Sequence, residues 1–356
     1  RRVLFRSCII KNKYGKVEMS TSFSSNHNFS KGFFYVADGT FNFYDTEKKT
    51  AYQDCYASLN AGKTLGIGNY DSANIIHSNG KFYLLVGTST SNRDHFYIVD
   101  AKTLYYENSA VVGANLSGLT ILNEQYGLVT GDGIRRIDLK SLNNVRIKNE
   151  RLLCFYNSII YNGKVLSNDT YKDESKVKYY DVNELIAAKE GEAPAVTELD
   201  IIQKQKINFV LAKDGNVYTL ESADNGCNIV KIKNDFTLEK VFANFQPAKG
   251  PYHSSPTIGM VASETENIIY LVSTDGAIYK YILGDSDSLK APFIAAESGV
   301  SITAPLQLNQ QSGELYVTYT EERKDESKIV VYSKDGKVLH TVDCGESVPS
   351  QILFNN

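Results

Sequence analysis

The chain has 356 residues, 42% of them hydrophobic and 22% charged, with a formal net charge of -3 and a sequence pI near 6.0. That balance supports a sizeable core and argues against a nucleic acid or an anionic membrane surface as partner. Seven Pro, no Trp and 24 Tyr favour strands over helices.

Arg1 to Ser7, "RRVLFRS", reads as the translation of a short-read sequencing adapter and is set apart from the fold. Residues 8–31 read as a lead-in or the end of a preceding domain, and 32–356 as one repeat-built domain. Within it, Lys31 to Asp54, "KGFFYVADGTFNFYDTEKKTAYQD", supplies three strands, the first of them matching the second strand of later units. The complete unit is clearest in "SANIIHSNGKFYLLVGTSTSNRDHFYIVDAKTLYYENSAVV", Ser72 to Val112. It reads strand, Asn-Gly turn, strand, loop, then a third strand closing on Asp and a charged turn. The "SNGK" turn at Ser78 to Lys81 carries the pair that type I′ hairpins require, because both central residues need positive φ. It recurs as "YNGK" at Tyr161 to Lys164, with Gly turns of the same kind in "KDGN", Lys213 to Asn216, and "QSGE", Gln311 to Glu314.

Further units begin near Ser117, Asn157, Ile207, Pro256 and Ser301. Short strands with a period near the ~40–50 residues of a four-stranded blade predict an all-β, seven-bladed β-propeller. Only "DVNELIAAKEGEA", Asp181 to Ala193, suggests helix, as one or two turns on a strand connection. The terminal "PSQILFNN" matches the first strand that the opening unit lacks. The C-terminal strand is therefore expected to complete the first blade and close the ring, which removes a free apolar edge.

No sequence motif points to catalysis or metal binding. P-loop, GxSxG, HExxH and EF-hand patterns are absent. "GKTLGIG", Gly62 to Gly68, lacks Walker spacing and reads as a blade connection. "SADNGCN", Ser222 to Asn228, fits an ordinary turn as well as a cation loop. Cys8, Cys55, Cys154, Cys227 and Cys344 are odd in number and scattered, which predicts free thiols. The five histidines show no ligand spacing, and His77, beside its turn, is expected to be solvated or hydrogen-bonded.

The sequence resembles the YncE-like seven-bladed propellers of Bacteroidota, the domain of unknown function 5074 group. The likeness runs from about Gly32 to Phe354, through "GFFYVADG", "FNFYD", "LGIGNYDSANIIHSNGKFYLLVG", "FYIVDAKTL" and "QQSGELYVTYTEE". It implies an exported lipoprotein on the outer-membrane surface, encoded beside a TonB-dependent transporter, with a cobalamin-binding branch among its relatives.

In a propeller, loops entering each first strand and loops joining second to third strands share one face, and loops on a rigid scaffold carry function. Here they bear Tyr70, Asp71, Asn92, Arg93, His95, Tyr156, Tyr171, Tyr252, His253 and Arg323. Tyr and Arg in that mixture suit a bulky ligand with apolar faces and polar edges. The expectation is a non-enzymatic, monomeric binding protein without cofactor or metal. It would take a small ligand for its transporter, with cobalamin or another corrinoid as the example that the resemblance implies; the alternative is an interaction or adhesion propeller that binds a macromolecule.

Overall fold

The computed structural model describes residues 23, 27–37, 39–61, 63, 65, 72–87, 93–114, 116, 118–131, 133–148, 158–168, 175–192, 194–203, 208–248, 259–321 and 326–355. Seven small antiparallel sheets make a seven-bladed propeller. From the axis outward, blade one is Pro349–Leu353, Gly32–Ala37, Thr40–Asp45 and Thr50–Tyr52. Blade two is Ser72–Ser78, Lys81–Gly87, Asp94–Asp100 and Tyr106–Gly113. Blade three is Gly118–Ile121, Tyr126–Gly131, Gly133–Asp138 and Asn144–Lys148; blade four is Ile159–Tyr161, Lys164–Asn168, Ser175–Asp181 and Val196–Gln203. Val210–Leu211, Val217–Ala223, Gly226–Ile232 and Leu238–Phe245 form blade five.

The last two blades depart from the four-strand unit. Blade six has three strands, Met260–Ala262, Ile268–Val272 and Ile278–Ile282, and its outer edge is covered at Ile278 by a single bridge to Ile294. In blade seven the innermost strand is split into Val300–Ile302 and Gln307–Leu308, both paired to Leu315–Glu321, with Ser327–Tyr332 and Val338–Gly345 outside.

Each sheet buries both faces, so the second strands read as continuous apolar runs, "KFYLLVG" for instance, where a half-exposed strand would alternate. Phe82, Leu84 and Val86 face blade one while Tyr83 and Leu85 face blade three. Seven apolar clusters result, one in each seam between consecutive blades. Aromatic rings fill the seams flanking blade one. Phe34 and Phe41 lie 5.4 and 5.6 Å from Phe82 across one, and Phe33 meets Tyr316 at 5.0 Å across the other.

The expected closure is present. Pro349–Leu353 pairs with Gly32–Ala37, Leu353 enters the seam with blade two, and Ile352 enters the seam with blade seven. Gln351 then spans to the next blade: its amide oxygen accepts from Ile75 N at 3.2 Å and its amide nitrogen donates to Ile75 O at 2.6 Å.

The Asp that closes the third strands has a mechanical role. Asp45, Asp100 and Asp138 each accept, through Oδ1, from the backbone N–H groups two and three residues on. Lys49, Leu104 and Leu142, four residues past each Asp, take positive φ and turn the backbone into the outer strand. In blade four the equivalent carboxylate caps a helix: Asp181 accepts from Asn183 N and Glu184 N and starts the helical turn over Val182–Ala187. That is the helix the sequence predicts.

A second short helix, Cys55–Leu59, was not expected. It follows directly on blade one's three-residue fourth strand, where longer outer strands continue in blades two and five. Asp54, at φ 45°, caps it, and five residues carry no readable helical period. His77 is also a correction. Its Nε2 is buried without a hydrogen-bond partner, its ring packs 5.0 Å from Phe82, and burial lowers its pKa.

Candidate functional site

Antiparallel strands place the loops entering each first strand and those joining second to third strands at one end of the ring. Tyr70, Asp71, Asn92, Tyr156, Tyr171, Tyr252, His253 and Arg323 lie outside the described residues, as does most of Gly62 to Gly68. Arg93 and His95 are described. Arg93 is exposed, immediately before the third strand of blade two. His95 belongs to that strand and is half-buried. Phe96 and Ile98 pack toward blade three, whereas Tyr97 and Val99 pack toward blade one. By strand alternation His95 shares the blade-one side, and its ring stacks on Tyr97 at 5.9 Å.

Beneath this face lies a set of buried polar groups that the sequence reading missed. Asp94 is 2% exposed, and its carboxylate accepts from Leu116 N at the entrance to blade three. A longer relay crosses three blades. Asn168, ending the second strand of blade four, donates to Gln203 Oε1 at 2.7 Å; Gln203 Nε2 donates to Thr219 Oγ1 at 2.9 Å and Leu220 O at 3.0 Å. Thr219 donates to Asn208 O at 3.1 Å, and Asn208 Oδ1 accepts from Met260 N at 3.0 Å on blade six. Asn168 and Gln203 stand at the bases of two connections on this face, so their satisfied amides fix where those connections start.

A signal for the relay exists in the sequence, as polar residues ending otherwise apolar strands in "KVLSN" and "LDIIQ". Their partners are set by the ring. The same device recurs nearer the axis. Innermost strands expose an unpaired backbone edge, and amide side groups occupy it: Gln351 at Ile75, Asn208 at Met260, and Gln310 at Ala262 O and Glu264 N.

On blade one, Asn42 Oδ1 accepts from Asp54 N at 2.9 Å, and burial raises the Asp54 carboxyl against the lowering effect of the Ala57 and Phe41 amides. "SADNGCN" is a tight hairpin in which Ala223 pairs with Gly226. Its polar groups are taken up locally, Asn228 Nδ2 by Glu221 at 2.8 Å and Asn225 O by Gln246 at 2.8 Å. Cys55, Cys227 and Cys344 are free thiols, as expected. Among the described residues no three His, Cys, Asp or Glu groups gather as a metal site.

Similar folds occur in proteins of different roles. A functionally unknown protein from Desulfotomaculum acetoxidans DSM 771 superposes with a TM-score of 0.56 at 13% identity, over 91% of this chain and 99% of that one. Dihydro-heme d1 dehydrogenase NirN, in complex with DHE, gives 0.53 at 12% identity, over 95% and 77%. Hsv2 of Kluyveromyces lactis gives 0.50 at 11% identity, over 92% and 97%. At such identities the likeness concerns the fold alone. No curated protein matches this sequence. Residues 29–355 match a family profile over the whole ring, and the protein accordingly belongs to the family described as domain of unknown function (DUF5074).

Proposed function

We propose that this protein is a non-enzymatic binding module that captures a small ligand on the loop-bearing face of the propeller. The observation that carries the reading is the Asn168–Gln203–Thr219–Asn208–Met260 relay. It braces the loop-bearing ends of three adjacent blades against one another with buried, satisfied polar groups. A braced rim under the loops suits recognition, because a preorganised site spends less free energy on ordering when it binds.

Exposed Arg93 offers a directional donor there, and the sequence assigns Tyr156, Tyr171, Tyr252, His253 and Arg323 to loops of the same face. The ligand class that fits this mixture is a large ring system with polar edges, of which a corrinoid is the leading example. The family resemblance supports a place on the outer-membrane surface, held by a lipid anchor, with a TonB-dependent transporter receiving the ligand from a monomeric propeller.

Calorimetric titration with cobalamin, cobinamide, haem and a glycan panel tests the reading. Binding of one of them, weakened about thirtyfold by the double change Tyr252→Ala and His253→Ala, corresponds to the loss of roughly 2 kcal/mol expected of an aromatic anchor. If none binds below about millimolar, equivalent to roughly 4 kcal/mol, the small-ligand reading is refuted. A macromolecular partner on this face would then be the surviving alternative.

A further inference from the structure

The sequence holds three Asn-Gly pairs, and the fold gives them three different environments. Asn79-Gly80 and Asn162-Gly163 occupy equivalent turns between the first and second strands of blades two and four, with φ of 50° and 69° in one and 47° and 70° in the other. Both pairs are exposed. They differ at the Asn amide. Asn162 Nδ2 donates to Asn234 O of blade five at 3.0 Å and also reaches Asn234 Oδ1 at 3.4 Å. Asn79 makes no such bond among the described residues, while the space beside Gly80 and beside Gly163 is equally open. The third pair, Asn225-Gly226, is held differently. Gly226 is the closing residue of its hairpin, paired with Ala223, and Gln246 Nε2 and Phe245 O fill the place that a Cβ on it would take.

We propose that Asn79 is a spontaneous modification site, the one of the three that the native fold leaves most open to deamidation. The Gly80 backbone nitrogen gives its proton to hydroxide and attacks Asn79 Cγ. The new C–N bond closes a five-membered imide as the bond from Cγ to Nδ2 breaks; the departing nitrogen takes a proton from water, leaving as ammonia and regenerating hydroxide. Water then opens the imide at either carbonyl, giving Asp or isoaspartate. Glycine presents no Cβ to hinder the attack, and the unbonded Asn79 amide is free to rotate its Cγ toward the nitrogen.

At Asn162 the same rotation must first break the contact with Asn234. At Gly226 the attacking nitrogen lies inside a paired, crowded hairpin. The isoaspartyl product lengthens the backbone inside a two-residue turn. It therefore disturbs the register of Ser72–Ser78 against Lys81–Gly87, the inner pair of blade two.

The test is incubation of the folded protein in mildly alkaline buffer, followed by proteolysis and mass spectrometry of the peptides holding each pair. A parallel sample unfolded in urea supplies the intrinsic rate at each position. Relative to those rates, Asn79 should deamidate roughly fivefold or more faster than Asn162, the factor that one retained neutral hydrogen bond implies. Asn225 should be slower than Asn79 as well. Equal normalised rates at Asn79 and Asn162, or a faster rate at Asn225, would overturn the assignment. Normalising to the unfolded sample keeps the comparison independent of sequence context.

Discussion

Removing Pro349 to Asn356 takes out the strand that closes the ring, and the structure allows the damage to be sized. Ile352 and Leu353 are 3% and 8% exposed, in two different seams. Losing the burial of two such side groups costs about 3–6 kcal/mol. Register pairs from Phe34↔Leu353 to Ala37↔Pro349 are lost from blade one, and with them both Gln351 bonds to Ile75. At about 1 kcal/mol for each hydrogen bond, the total loss is of order 10 kcal/mol. That is comparable with the ~5–15 kcal/mol that holds a whole domain together. The truncated protein should therefore lose its cooperative urea transition, followed by near- and far-ultraviolet circular dichroism, and the bared edge of Gly32–Ala37 should promote aggregation. A cooperative transition with an unchanged m-value and a modestly lowered midpoint would refute the closure argument, since the remaining strands would then be self-sufficient.

Replacing Gln203 by Leu strips Asn168, Thr219 Oγ1 and Leu220 O of a partner, and should cost about 2–4 kcal/mol in urea unfolding. A change within about 0.5 kcal/mol would mean the relay is not formed. Burial lowers the His77 pKa, so the fold favours neutral imidazole; its contribution is full above the unfolded value near 6.5 and declines as pH falls toward the lowered folded value. His77→Phe should accordingly flatten the acid side of the stability profile, and an unchanged slope would exclude His77 as its source. Burial pushes the Cys227 and Cys344 thiols up to about 11 and about 12. Peptide mapping after iodoacetamide at mildly alkaline pH should find Cys227, the fully buried one, unlabelled in the folded protein and labelled in denaturant; labelling of Cys227 in the native state would contradict that burial.

How legible was this molecule in its sequence? Turn chemistry was local and therefore readable. Asn79-Gly80 and Asn162-Gly163 take the positive φ pair their type I′ turns need, and Asp45, Asp100, Asp138 and Asp181 close third strands through bonds spanning two or three residues. Repetition of such local signals fixed the number of blades. The incomplete first unit, with its missing strand at the other end of the sequence, fixed the closure.

The tertiary structure alone decided which groups meet across seams. Gln351 and Ile75 are 276 residues apart, and Asn208 reaches Met260 across 52; nothing near either residue in the sequence announces such a partner. The helix Cys55–Leu59 was hidden for a related reason. It depends on Asp54 being held at positive φ by Asn42, a contact across twelve residues that no five-residue pattern encodes. The direction of His95 also came from the fold. Its loop-like sequence, "SNRDHF", suggested a rim position, whereas pairing with Val86 and Val111 sets it in a strand and turns it toward blade one. Local dihedral preferences act over a few residues and can be read along the sequence; seam packing and polar satisfaction are settled only when the ring brings distant strands together.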